Sequence, residues 1–327
     1  MSEIPKAGAY VVAKLRALDG ALGEAAPRVV ASGSGDELDP EAVHDLRVAI
    51  RRLRTLLKMA RDLFGRWHTG VVRAAFAEVM RATGELRDEE VLEETLAGAA
   101  TGPVYEDWLG QRKSREGKLR SAVVQRIERG DLERARLLLK ALIVFPVEPD
   151  RNVDLSKFAR KTVERSRRRV EKQRDVEPED VLGMHDLRIA YKELRYSIEL
   201  LSDALPIDAR AQLEPATVFQ KRLGELHDVD VAIDVVNQTR NLPDEQRAEA
   251  LATLATMRAK RVRKYLREVD PLGAAQTERA EKAPRPAASA IEDEPTVYLR
   301  RVEADLLPAS ALAALAPSPS ITQKDED

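Results

Sequence analysis

His44-Asp45-Leu46-Arg47-Val48-Ala49 returns later in the chain as His185-Asp186-Leu187-Arg188-Ile189-Ala190. The match runs on, with Leu53-Arg54 facing Leu194-Arg195 and Arg51 facing Lys192. About forty residues beyond each histidine stands a second shared element. It reads Gly84-Glu85-Leu86-Arg87-Asp88 in the first half and Gly224-Glu225-Leu226-His227-Asp228 in the second. Further on, Arg112 and Arg115 correspond to Arg258 and Arg261. One duplicated unit of roughly 140 residues accounts for most of the chain.

The 327 residues are 34% charged and only 4% aromatic. Ala, Leu, Arg and Glu dominate, residues that favour helix over strand, so an all-α protein is expected. Cysteine is absent, which excludes disulfides and thiolate chemistry. Met1 to Ala13 shows neither a basic leader with an apolar core nor a cleavage site, and no apolar run nears the ~20 residues that span a bilayer. The expected location is cytoplasmic. A net charge of −2 argues against indiscriminate binding to nucleic acid. The 54 basic residues matter only if they are gathered onto a face.

Punctuation and period predict helices near 5–22, 40–63, 70–98, 104–128, 131–144, 154–173, 178–204, 212–239 and 244–268. Asp39-Pro40-Glu41 is a helix start, with Asp as cap and Pro in the first turn, and Glu177-Pro178-Glu179 is expected to play the same part later. Gly65 to Gly70 reads as a turn that holds His68. Phe145-Pro146-Val147-Glu148-Pro149 breaks any helix and marks the junction of the halves. Ala283 to Ser289 reads as a Pro/Ala-rich linker, 291–307 as a short helix and Pro317 to Asp327 as a polar tail.

At about 100° per residue, Leu46, Ala49, Ile50, Leu53, Leu56, Leu57 and Ala60 share one apolar stripe. His44, Arg47, Arg51, Arg54 and Lys58 share a narrower stripe nearly opposite. The second copy repeats this, with Leu187, Ala190, Tyr191, Leu194 and Ile198 inside and His185, Arg188, Lys192 and Arg195 on the polar side. Glu199 stands where Lys58 stood, which shortens that stripe. A solvated helix face is the ordinary reading of such a stripe. Solvated faces, however, mix signs at i,i+4, whereas here like charges stack at i,i+3 and i,i+4 and cost a few tenths of a kcal/mol per pair. Carrying that repulsion in both copies points to an anion that relieves it.

Helix 154–173 adds Lys157, Lys161, Arg165, Arg168 and Lys172 along one side. Arg112 and Arg258 fall among apolar neighbours on their helices. A guanidinium there must meet a carboxylate, a ligand or water. Two readings stay open, an ion pair with Asp88 and Asp228 or an arm reaching a central anion site.

The motif His44-Asp-Leu-Arg-Val-Ala-x-Arg-Arg-Leu-Arg54, followed by Gly84-Glu-Leu-Arg-Asp88 and repeated as a whole, resembles the CHAD (conserved histidine α-helical domain) family. The resemblance covers roughly residues 5 to 280, so the domain is drawn over 1–283, with halves of about 1–145 and 151–283. Residues 284–327 form the linker, short helix and tail. The resemblance implies two similar antiparallel helical bundles related by pseudo-twofold symmetry. It also implies binding of inorganic polyphosphate in a basic groove or pore, without catalysis or cofactor, and association with polyphosphate granules. Carried over by position, the ligand residues are His44, Arg47, Arg51, Arg54, His185, Arg188, Lys192 and Arg195. Helical geometry extends the set to Lys58, Arg112, Arg258, Lys157, Lys161, Arg165 and Arg168. Many relatives are fused to a CYTH triphosphatase domain, but no Glu-x-Glu-x-Lys signature stands near the start, so the activity of that domain is not expected here.

The chemistry suits the ligand. Arginine forks and lysine point charges grip phosphoryl oxygens, and the helical rise sets Arg47, Arg51 and Arg54 about 4.5–6 Å apart along the axis. Protonated His44 and His185 would add a modest pH dependence. Scarce aromatics disfavour single-stranded nucleic acid. The pairs His44-Asp45, His185-Asp186 and His227-Asp228 invite comparison with HD-type metal-dependent phosphohydrolases. Adjacent helix residues diverge by about 100°, though, and Arg87 replaces His227 in the first half, so no metal site is expected. A scaffold for acidic proteins or nucleic acid is the remaining rival.

Overall fold

The computed structural model describes residues 6–34, 39–145 and 153–269, and within them the chain is helical without a β-strand. The expectations for the linker, the short helix and the tail lie outside the described residues. The first helices are α1 (Ala7–Ser34), α2 (Pro40–Met59), α3 (Arg61–Phe64), α4 (Arg66–Leu96), α5 (Pro103–Glu128) and α6 (Asp131–Val144). They are followed by α7 (Leu155–Gln173), α8 (Val181–Leu201), α9 (Ile207–Ala211), α10 (Leu213–Gln238) and α11 (Asp244–Val269), with a 3₁₀ turn at Ser202–Ala204.

The α2 helix begins where Asp39 accepts a hydrogen bond from the Glu41 backbone N–H, with Pro40 in the first turn. Its apolar stripe is driven inward, and Leu46, Ile50, Leu53, Leu56 and Leu57 are fully buried. Each such leucine contributes about 1.5–3 kcal/mol of burial. The same stripe on α8 buries Leu187, Ala190, Leu194 and Ile198, while Tyr191 is half-buried and stacks on Phe219 at 4.4 Å.

Four boundaries differ from expectation. The α1 helix runs on to Ser34 through Gly20, Gly23 and Pro27, because Leu22, Ala25 and Val29 are buried on the way. Tertiary packing outweighs the local breakers there. The expected helix 40–63 is broken at Ala60, after which α3 makes one turn. Gly65, at φ 82°, is the whole of the expected 65–70 turn, and His68 lies inside α4 with its ring edge-on to Trp67. The α8 helix starts after Asp180, whose carboxylate accepts from the Gly183 N–H, rather than at Glu177-Pro178-Glu179. The Pro178 carbonyl instead accepts from Arg258.

Packing follows the repeat. In the first half α1 lies on α2, α2 on α4 and α4 on α5. In the second half α7 lies on α8, α8 on α10 and α10 on α11. The halves meet where α1 touches α7, α2 crosses α8 and α4 meets α10. One apolar core spans both halves, and a second gathers Leu92, Leu96, Tyr105, Val229, Val236 and Leu254 at the ends of α4, α5, α10 and α11. There the buried Tyr105 hydroxyl donates to the Leu96 carbonyl, and the Tyr105 N–H donates to Gln246. Gly102, at φ 120°, lets Gln246 approach to 2.8 Å of where a Cβ would stand. A side chain there would strain the backbone and displace the Gln246 amide.

Candidate functional site

The polar stripes of α2 and α8 are not solvated faces. His44, Arg51 and Arg54 are half-buried and Arg47 is only 9% exposed; His185, Arg188, Lys192 and Arg195 are half-buried as well. Arg47 donates to the Met80 carbonyl at 3.2 Å and to the Thr83 hydroxyl at 3.0 Å, so its guanidinium is clamped onto α4. Burial, reinforced by Arg51, draws its pKa down to about 10, which still leaves it charged at neutral pH.

The clamp brings the first repeated motif against the second. Arg47 lies over Gly84, with Nη1 3.6 Å from where a Cβ would stand, and Arg188 lies over Gly224, with Nε at 3.9 Å. Each half thus sets the arginine of one motif on the glycine of the other. The motif aspartates mark the common centre. Asp88 is raised in pKa first by the protein around it, against the opposing pull of Arg47, Arg188, Arg51 and Arg87. Asp228 is raised in the same way, against Arg188, Arg261 and Arg87, and Asp88 itself raises it further. Solvent nevertheless reaches Asp88. The Arg261 guanidinium reaches the same region and donates to the Glu225 carbonyl.

Beside Arg188 the imidazoles of His185 and His227 lie with centroids 4.8 Å apart. Burial first, then Arg188, His185 and Lys192, push the His227 pKa down to about 2, so this ring is neutral. The structure therefore gathers Arg47, Arg51, His185, Arg188 and Lys192 of the expected residues. It adds Arg87, Arg261, His227, Asp88 and Asp228, which the sequence reading did not place in the site. Their signal was the second repeated motif, read as a mark of duplication and of family resemblance but not as part of the binding site.

Other expected residues are engaged elsewhere. Lys58 bridges to Glu193 at 3.0 Å, and Arg195 faces Glu199 at 3.6 Å with its guanidinium over the Tyr196 ring. Arg112 and Arg258 resolve toward ion pairs, but with other partners than Asp88 and Asp228. Arg112 meets Glu89 at 2.8 Å and Arg258 meets Asp230 at 2.6 Å. The reason is helical phase: Glu89 and Asp230 point toward α5 and α11, and the motif aspartates toward the cations of both halves. Lys157, Lys161, Arg165, Arg168 and Lys172 are exposed on α7, opposite its buried Ala159, Val163, Ser166 and Val170, and Arg168 pairs with Glu164. That stripe is an outer surface. Among the described residues no group of three or more histidines and carboxylates is placed to hold a metal ion. No helix there is long and apolar enough to cross a membrane.

Comparison with solved structures finds the same fold twice. The CHAD domain from the plant Ricinus communis matches at 20% identity and a TM-score of 0.59, over 87% of this chain and 96% of that one. PptA from Streptomyces chartreusis matches at 17% identity and a TM-score of 0.61, over 85% and 100%. Comparison with curated proteins returns no match. The CHAD domain family model matches residues 11–237. With that match, two motifs recurring in order and an all-α fold shared with a plant CHAD domain, the chain belongs to the CHAD domain family.

Proposed function

We propose that this protein binds inorganic polyphosphate, without acting on it chemically, in a groove between α2, α4, α8 and α10. One observation carries the reading. Arg47, Arg51, Arg87, Arg188 and Arg261, drawn from four helices of both halves, act together on the pair Asp88 and Asp228. So many guanidiniums around two carboxylates leave an excess of positive charge that a chain of phosphates would neutralise, each fork donating to phosphoryl oxygens. Membership of the CHAD family supports polyphosphate as the polyanion, and association with polyphosphate granules follows from such binding. Among the described residues no aromatic stacking row accompanies these cations, which disfavours nucleic acid.

A pseudo-twofold relation of the halves belongs to the same reading. Arg52 bridges to Glu199 and Lys58 to Glu193, and by the repeat position 52 is equivalent to 193 and 58 to 199. The two bridges are thus images of each other, as a dyad between α2 and α8 requires.

Titration of the protein with long-chain polyphosphate at two salt concentrations tests the function. Affinity should fall steeply with salt, and Arg47→Glu with Arg188→Glu should abolish most of it. Unchanged affinity in that double variant would remove the groove. Release of phosphate from the chain in the presence of Mg²⁺ or Mn²⁺ would replace binding with hydrolysis.

A further inference from the structure

At the crossing of α2 and α8 a single tyrosine touches a guanidinium from each half. Arg51 donates from Nη1 to the Tyr196 hydroxyl at 3.4 Å, and the Arg195 guanidinium lies over the Tyr196 ring, 4.7 Å from its centroid. Tyr196 is only 2% exposed, among the most deeply buried of the large side chains. Packing alone would be served by phenylalanine. A buried hydroxyl needs a polar partner, and this one reaches from the second half to a cation of the first.

The place of Tyr196 in the repeat sharpens the point. The bridges Arg52–Glu199 and Lys58–Glu193 flank the crossing, and positions 55 and 196 fall midway between their residues. Thr55 is the counterpart of Tyr196, and its hydroxyl turns back to the Arg51 carbonyl at 2.8 Å. The duplicated unit thus carries one tyrosine here rather than two. Its hydroxyl serves Arg51, while Lys192, the counterpart of Arg51, has the short Thr55 at the equivalent place.

We infer that Tyr196 is a positioning residue of the groove, holding the Arg51 guanidinium in the direction in which it meets a phosphoryl oxygen. This rests on the polyphosphate reading above. An unrestrained arginine gives up rotamer freedom when it closes on a phosphate, and that loss is subtracted from affinity. A guanidinium already tied at one N–H has less to lose, and its other donors stay available to the ligand. The tie can hold because the ring is itself fixed. Arg195 covers its face and is held in turn by Glu199 at 3.6 Å, which also takes Arg52 at 3.3 Å. The relay Glu199, Arg195, Tyr196, Arg51 ends at the cluster, where Arg51 acts on Arg47 and Asp88.

Calorimetric titration of Tyr196→Phe with polyphosphate tests the role, since this variant keeps the ring and loses only the hydroxyl. Affinity should fall about three- to fivefold. The salt dependence should stay as in the wild type, because every charge is still present. Arg51→Gln should lower both affinity and the salt slope, the latter by about one released ion. In the Arg51→Gln background Tyr196→Phe should cost nothing more, whereas in a Lys192→Gln background it should cost its full factor. A tyrosine that serves only packing would lower affinity equally in all three backgrounds, and that result would overturn the inference. Wild-type affinity in Tyr196→Phe, beside a weakened Arg51→Gln, would overturn it and leave the groove standing. So would full affinity in Arg51→Gln. A wild-type protein that binds no polyphosphate would defeat the groove and the positioning role together.

Discussion

His185 and His227 set their imidazole rings 4.8 Å apart at an interplanar angle of 47°, each from a different motif of the second half. In the first half the position of His227 is held by Arg87, so the two halves present different chemistry at equivalent places. One side of the cluster carries a permanent guanidinium. The other carries an imidazole kept neutral by burial and by Arg188, His185 and Lys192.

That neutral ring makes stability depend on pH. The His227 pKa is about 2 in the fold, below its ordinary value near 6.5 when unfolded. The unfolded chain therefore binds the proton first, and the contribution is present above pH ~6.5 and lost as pH falls. Asp88 and Asp228, raised in the fold, act in the opposite sense at lower pH. The comparison with His227→Gln isolates the imidazole. Denaturant unfolding should show wild-type stability falling by about 2 kcal/mol more than the variant's between pH 7 and 5. Parallel curves would mean that the ring is charged in the native protein.

Arg112 should matter to stability and not to the ligand. Its side chain is 14% exposed and its partner Glu89 only 5%. Arg112→Met leaves that carboxylate buried with only the longer contact to Arg115 at 3.7 Å. A loss of about 3 kcal/mol is expected in thermal or denaturant unfolding, with polyphosphate affinity held within about twofold. Lost affinity at unaltered stability would return Arg112 to the binding site.

The outward stripe of α7 should contribute weakly. Reversing Lys157, Lys161 and Arg165 to Glu removes exposed charge without touching the α2, α4, α8 and α10 cluster. Affinity for a short polyphosphate should fall by less than about threefold, through long-range attraction that salt screens within ~10 Å. A loss as large as that of Arg47→Glu with Arg188→Glu would show that the ligand reaches α7.

Local boundaries show where sequence reading stops. Asp39 and Pro40 start α2 as expected, because the cap is made within three residues. The equivalent inference at Pro178 fails, since Asp180 is the cap and the Pro178 carbonyl is taken by Arg258, eighty residues away in the chain. Likewise α1 continues through Pro27 because α2 covers its apolar face, which no local rule contains.

What the chain by itself determined is the all-α class, the duplication, the buried stripes of α2 and α8, and the alignment of Arg47 with Arg51 and of Arg188 with Lys192. All of these depend on residue type and helical period. Tertiary structure alone decided which cations share a space. It turned Arg112 to Glu89 and Arg258 to Asp230, left Lys157 and Lys161 outside, and brought Arg87 and Arg261 to Asp228. Charges act through distance in space, and that distance is set by how helices far apart in sequence cross.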